Sequence, residues 1–247
     1  MHPGCAGGNE FTDNVSVANA RTGIDVFATS DVTSDGVVVS GNTIAGNGET
    51  GLQHDGEAGS ITGNSITDNG AWGMMIFGQG VVAENTITGN GADSIMVFGF
   101  PGSSSIGHYT ISRNSISGNG SLGIDLGSDG VTKNDNGDAD SGPNDLLNYP
   151  EFKKATDNGA TTEAEGRVVH PDPQSLTLEI FVNDEPDASG FGEGQTFVTT
   201  ATPDAKGRFS ASLPGGLAGR FLTATSTDSA GNTSEFSKAR EVRAGKK

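Results

Sequence analysis

The sequence predicts an all-β chain: a right-handed parallel β-helix of about five coils followed by a small antiparallel β-sandwich. Three observations carry that reading. A nine-residue pattern recurs without a gap as Val39-Ser-Gly-Asn42-Thr-Ile44-Ala-Gly-Asn47, Ile61-Thr-Gly-Asn64-Ser-Ile66-Thr-Asp-Asn69, Val82-Ala-Glu-Asn85-Thr-Ile87-Thr-Gly-Asn90 and Ile111-Ser-Arg-Asn114-Ser-Ile116-Ser-Gly-Asn119. Glycine supplies 39 of 247 residues, and Asn, Ser, Thr and Asp crowd between short apolar runs with no sustained helical period. From about Thr161 the repeat gives way to alternating strands separated by turns.

The first coil is a degenerate copy, Phe11-Thr-Asp-Asn14-Val-Ser16-Val-Ala-Asn19, with its register open by one residue because Ser16 stands in the isoleucine position. Nine residues after the first Asn of each copy a second apolar strand begins: Gly23-Ile24-Asp25-Val26, Gly51-Leu52-Gln53-His54, Gly73-Met74-Met75-Ile76, Ser94-Ile95-Met96-Val97 and Gly123-Ile124-Asp125-Leu126. Strands this short cannot bury an apolar face alone. They are stable only when stacked, so the Val and Ile positions must form columns inside a solenoid. The Asn columns fall at bends, where Asn tolerates left-handed geometry and its amide can bond the same amide in the next coil. The first and fourth coils carry insertions, 28–36 and 99–108, expected to project from one rim.

After the last coil the segment Asp129 to Asp145 alternates carboxylates with Gly and Asn. That pattern suits calcium, a hard cation needing six to eight oxygens, with Asp135, Asp138, Asp140, Asn144 and Asp145 as ligands; a solvated acidic linker is the alternative. Apolar residues from Leu146 to Phe152 are expected to plug the open end of the core. Strands around 175–182, 196–201, 207–213 and 220–226 complete a sandwich. The boundaries expected are 1–130 for the solenoid, 131–160 for the acidic cap or linker, and 161–247 for the sandwich.

Gly123-Ile-Asp-Leu-Gly127, the aspartate-rich run ending Gly142-Pro-Asn144, and Thr225-Ser-Thr-Asp-Ser-Ala-Gly-Asn-Thr-Ser-Glu-Phe236 resemble bacterial secreted proteins with right-handed, pectate-lyase-like β-helix repeats. The C-terminal part resembles their immunoglobulin-like modules. The resemblance covers nearly the whole chain and implies a secreted or cell-surface location. It does not choose among polysaccharide lyases, glycoside hydrolases, adhesins and stalk proteins.

The formal charge of −17 makes nucleic acid a poor partner, and no apolar stretch is long enough to span a bilayer. Cys5 stands alone, so no internal disulfide is expected, and no signal-peptide pattern opens the chain, which reads as a mature fragment. For catalysis the candidates are His54 with Asp55 as an acid/base pair, His108 on the fourth-coil insertion, and Arg113 as a base. His54 shares a column with Val26, Ile76, Val97 and Leu126, so alternation also predicts an inward, core imidazole. For binding, strand parity turns Asp25, Met75, Met96 and Asp125 outward, with Phe27, Phe77 and Phe98 two places on; covering by other parts of the chain is the alternative. Such apolar platforms bordered by carboxylates suit a polysaccharide or cell-surface glycan. The main expectation is therefore a carbohydrate-binding or adhesive β-helix, the alternative a lyase or hydrolase. The first coil lacks a cap, so upstream coils or another chain are expected to cover it.

Overall fold

The computed structural model describes residues 8–27, 36–99 and 107–245. Cys5 and most of both insertions lie outside the described residues. Five coils stack in parallel, each contributing three strand positions. The inward columns run Phe11, Val39, Ile61, Val82, Ile111, then Ser16, Ile44, Ile66, Ile87, Ile116, then Ile24, Leu52, Met74, Ile95, Ile124. Ser16 pairs directly with Ile44, so the first coil does not slip. From Val39 onward the first two columns are buried, as is the third from Leu52. Each buried isoleucine contributes roughly 1.5–3 kcal/mol. Two of the strands, Leu52–Thr62 and Met74–Ala83, run on from the third position of one coil into the first of the next.

The asparagines form two continuous ladders. In the second, the side-chain amide nitrogen of Asn47 donates to Asn69 Oδ1 (2.8 Å), Asn69 to Asn90 (2.9 Å) and Asn90 to Asn119 (2.9 Å), and each main-chain N–H donates to the same oxygen. One expectation needs correction. The left-handed residue at each bend precedes the asparagine: Asp13, Gly41, Gly63, Glu84 and Arg113 at the first bend, Ala18, Gly46, Asp68, Gly89 and Gly118 at the second. Asn is required for the ladder and the preceding residue for the turn. Close packing also explains the glycine before the third strand, since a Cβ on Gly51 would lie 2.7 Å from Asn69 Nδ2 and from the Gly73 carbonyl.

The C-terminal part is a sandwich of two four-stranded sheets. Its first strand is Glu151–Asp157, which pairs antiparallel with Thr161–Arg167. A boundary at 161 would therefore split a hairpin, and the segment 131–160 is not purely a linker. The plug is also different from the expected one. Leu146 does pack on the solenoid core, but Leu147 and Phe152 join the sandwich core instead. The solenoid is closed by Phe181 and Phe236, reaching in from the sandwich. Phe236 fits because Gly123 has no side chain; a Cβ there would lie 2.8 Å from the ring.

Three sandwich carboxylates finish the last coil, which otherwise has no successor to accept its N–H groups. Glu179 accepts from Ser112 Oγ (2.6 Å) and the Arg113 N–H (2.9 Å) at the first bend. Glu193 accepts from the Gly118 N–H (2.5 Å) and from both nitrogens of Asn119 at the second. Glu235 accepts from the Leu126 N–H (3.1 Å) and from Thr132 after the third strand. Burial raises the Glu193 carboxyl above its ordinary range and pushes Glu235 up to about 8, with the nearby Asp125 charge adding to the latter.

Candidate ligand-binding face and metal centre

The parity argument holds along the third strand of each coil. Asp25, Gln53, Met75, Met96 and Asp125 stand in register on the outer side, one residue away from the buried column. Exposure, however, falls toward the sandwich. Asp25 and Phe27 are exposed, and Gln53, Asp55, Met75, Phe77 and Phe98 are half-buried. Met96 and Asp125 are buried, so neither is an open ligand-binding residue. The reason at Asp125 is the chain that follows: its carboxylate accepts from the N–H groups of Ser128 (2.9 Å) and Gly130 (3.2 Å). Burial and the Asp93 charge raise Asp125 to about 6. The Phe77 and Phe98 rings lie 5.1 Å apart at 50°, on adjacent coils. What remains accessible is a short apolar strip with Asp25 and Asp55 at its border. Asp25 is raised above its ordinary value by partial desolvation.

The four catalytic candidates are not brought together as a site. His54 is fully buried, and its Nδ1 meets the Tyr109 hydroxyl at 2.8 Å. That hydroxyl donates to the Phe77 carbonyl, so the imidazole is the donor of the pair and its Nε2 is the unprotonated nitrogen. Among the described residues Nε2 has no hydrogen-bond partner. Burial holds the imidazole below 6.5, against the pull of Asp55. His54 is thus a core residue, as its column foretold, and Asp55 lies outside the wall. His108 donates through Nδ1 to Asn232 Oδ1 (2.7 Å) at the junction with the sandwich. Arg113 stacks on Phe197, 5.1 Å from the ring centre, at the same junction.

The acidic segment divides in two. Asp135, Asp138 and Asp140 bring one carboxylate oxygen each within 4.8 Å of the others. Asp138 also accepts from the Asn148 N–H (2.8 Å) and faces His170 at 3.6 Å. Burial raises both Asp138 and Asp140, and Asp135 raises Asp140 further. Asn144 does not belong to the group. It is fully buried, takes the Tyr109 N–H on its Oδ1 (2.6 Å) and donates to the carbonyls of Tyr109 and Thr233. Its amide acts as a strand partner for the last coil. Asp145 is likewise engaged elsewhere, accepting from Asn232 Nδ2 at 3.0 Å.

Sequence reasoning missed Glu179, Glu193 and Glu235. One signal was present: Glu179 interrupts the apolar run Leu178 to Val182, and a buried glutamate needs donors. Among the described residues no helix is long and apolar enough to cross a membrane.

No curated protein matches the chain. The family described as the right handed beta helix region matches residues 4–139, more than half of the sequence and the span that holds all five coils. With the parallel coils, the asparagine ladders and this match in agreement, the chain belongs to the right-handed β-helix family.

Proposed function

We propose that the protein is a secreted or cell-surface module that binds carbohydrate, or adheres through it, on the outer face formed by the third strands of its coils. The observation that carries this reading is the strip of Phe27, Met75, Phe77 and Phe98, bordered by Asp25 and Asp55. Flat apolar groups beside carboxylates match the C–H face and hydroxyls of a sugar ring. Binding is favoured over cleavage because His54, His108 and Arg113 are each committed to a packing or junction contact. The extracellular placement follows the resemblance noted in the sequence.

Two further parts belong to this reading. Calcium would be held by Asp135, Asp138 and Asp140, whose mutual repulsion a cation relieves. At the other end, Phe11, Val15 and Val17 are 37%, 72% and 47% exposed, and Asn14 and Asn19 begin their ladders. That end would take further coils or another chain with free N–H donors.

The test is a glycan array with the wild type and the Phe77→Ala/Phe98→Ala variant. Binding by the wild type, lost in the variant with little change in melting temperature, supports the reading. A variant that unfolds early, with no glycan bound by the wild type, leaves a purely structural strip.

A further inference from the structure

Cations are outnumbered more than two to one in this chain, 14 Lys and Arg against 31 Asp and Glu. Four of those cations gather on one surface of the sandwich. A cavity of about 430 Å³ is lined by Lys153, Arg167, Lys206 and Arg208, with no acidic residue in its wall. Arg208 is held by a two-pronged contact with Asp204, through Nε at 2.9 Å and Nη2 at 2.6 Å. Among the described residues the side chains of Lys153, Arg167 and Lys206 make no ion pair.

The backbone arranges these charges. Arg167 and Arg208 are direct cross-strand partners; Asp204 pairs with Arg208, which leaves the Arg167 charge beside that pair. Glu151 is the neighbour of Arg167 on the other side, yet among the described residues no ion pair joins them. Lys153 sits where the register shifts between Phe152 and Lys154. A bulge of this kind re-aims one side chain, and here Lys153 stands at the meeting point of three recesses, one of which also holds Glu165 and Asp204.

The second recess, of about 340 Å³, adjoins the first through Lys153 and differs in chemistry. Its wall combines Lys238 and Arg240 with the rings of Tyr149, Phe152 and Phe191; Glu151 is its one acid. Tyr149 and Phe191 pack edge to face at 5.6 Å. One recess therefore offers forked and point cations, and the next offers apolar rings with cations beside them.

We propose that this track on the sandwich binds an acidic polysaccharide, with a carboxylate or sulfate of one sugar in the Lys153, Arg167 and Lys206 recess and a neighbouring ring against Phe191. An extended ligand with charges at intervals and apolar sugar faces between them satisfies both recesses. A small anion would use only the first. Nucleic acid is the other polyanion that cations beside aromatic rings admit, and its binding is an outcome of the test. The proposal shares its ligand class with the coil-face reading but stands on another surface, so either can fail alone.

The experiment is calorimetric titration of the whole chain at low salt with polygalacturonate, a sulfated glycan, neutral dextran, inorganic phosphate and single-stranded DNA. The wild type should bind one or both acidic glycans and neither dextran nor DNA, with binding lost in 0.5 M NaCl. Lys153→Ala/Arg167→Ala should weaken binding at least tenfold with the melting temperature unchanged, whereas Lys153→Arg and Phe77→Ala/Phe98→Ala should retain it. Both substituted positions are exposed, so the fold should tolerate them. No binding of either acidic glycan, equal binding of DNA, phosphate bound as tightly as the polymers, or affinity unchanged in the double variant would each overturn the proposal.

Discussion

Glu193 of the sandwich takes the place of a sixth-coil asparagine: its Oε1 accepts the main-chain N–H of Asn119 at 3.2 Å and the side-chain amide of Asn119 at 2.7 Å. From Asn47 on, every earlier rung is an Asn whose Oδ1 accepts and whose amide passes a hydrogen bond onward. The last rung needs acceptors alone, and a carboxylate is the side chain that has only those. Glu193→Ala leaves the buried donors of Asn119 without partners, each costing about 1–3 kcal/mol, and frees the Gly118 N–H at an exposed bend. Glu193→Gln should cost less, because it keeps one acceptor and loses the Gly118 bond. Denaturant melts of the two variants check the order.

Stability should have two pH limbs. Glu235 is raised from 4.5 to about 8 and Asp125 from 3.8 to about 6, so folding favours their protonated forms. Their contribution is full below the unfolded values and is lost as pH rises through about 6 and then about 8. His54 is lowered from 6.5, so its contribution is present above that value and is lost as pH falls. Glu235→Gln should flatten the alkaline limb of melting temperature, and His54→Leu the acid limb. An alkaline limb unchanged in Glu235→Gln would mean that Glu235 is ionised in the folded protein.

Calcium should raise the melting temperature, and Asp138→Ala or Asp140→Ala should abolish the rise. Asp145→Ala should leave it intact, because that carboxylate faces Asn232 rather than the Asp135 group. Equal melting in calcium and in chelator would reject the site.

Truncation separates the two possible boundaries. A fragment starting at Leu147 keeps the strand Glu151–Asp157 and the core residues Leu147 and Ala155, so it should unfold cooperatively. A fragment starting at Thr161 lacks them and leaves the edge of Thr161–Arg167 unpaired. Cooperative unfolding of both fragments would show that the first strand is dispensable.

The solenoid was legible in the sequence because each coil is specified within its own repeat. The apolar columns, the asparagine spacing and the parity of the outer face depend on residues a few places apart, and stacking multiplies them. The resemblance motif ending at Phe236 was also visible, though its purpose was not. In the fold it lies along the last coil, where Gly231, Thr233 and Glu235 bond to Thr110, Ile111 and Leu126.

What only the tertiary structure decided lies where the two parts meet. Glu179 reaches Arg113 across 66 residues and Glu235 reaches Leu126 across 109, and no local pattern encodes those pairings. The same meeting fixed the fates of His108, a catalytic candidate in the sequence, and Asn144, a calcium-ligand candidate. Tertiary packing likewise sealed His54 against Tyr109, 55 residues away, and gathered Lys153, Arg167 and Lys206 from separate strands and turns. A repeat determines its own coil; the end of a solenoid and the surface of a sheet are determined by whatever the rest of the chain places against them.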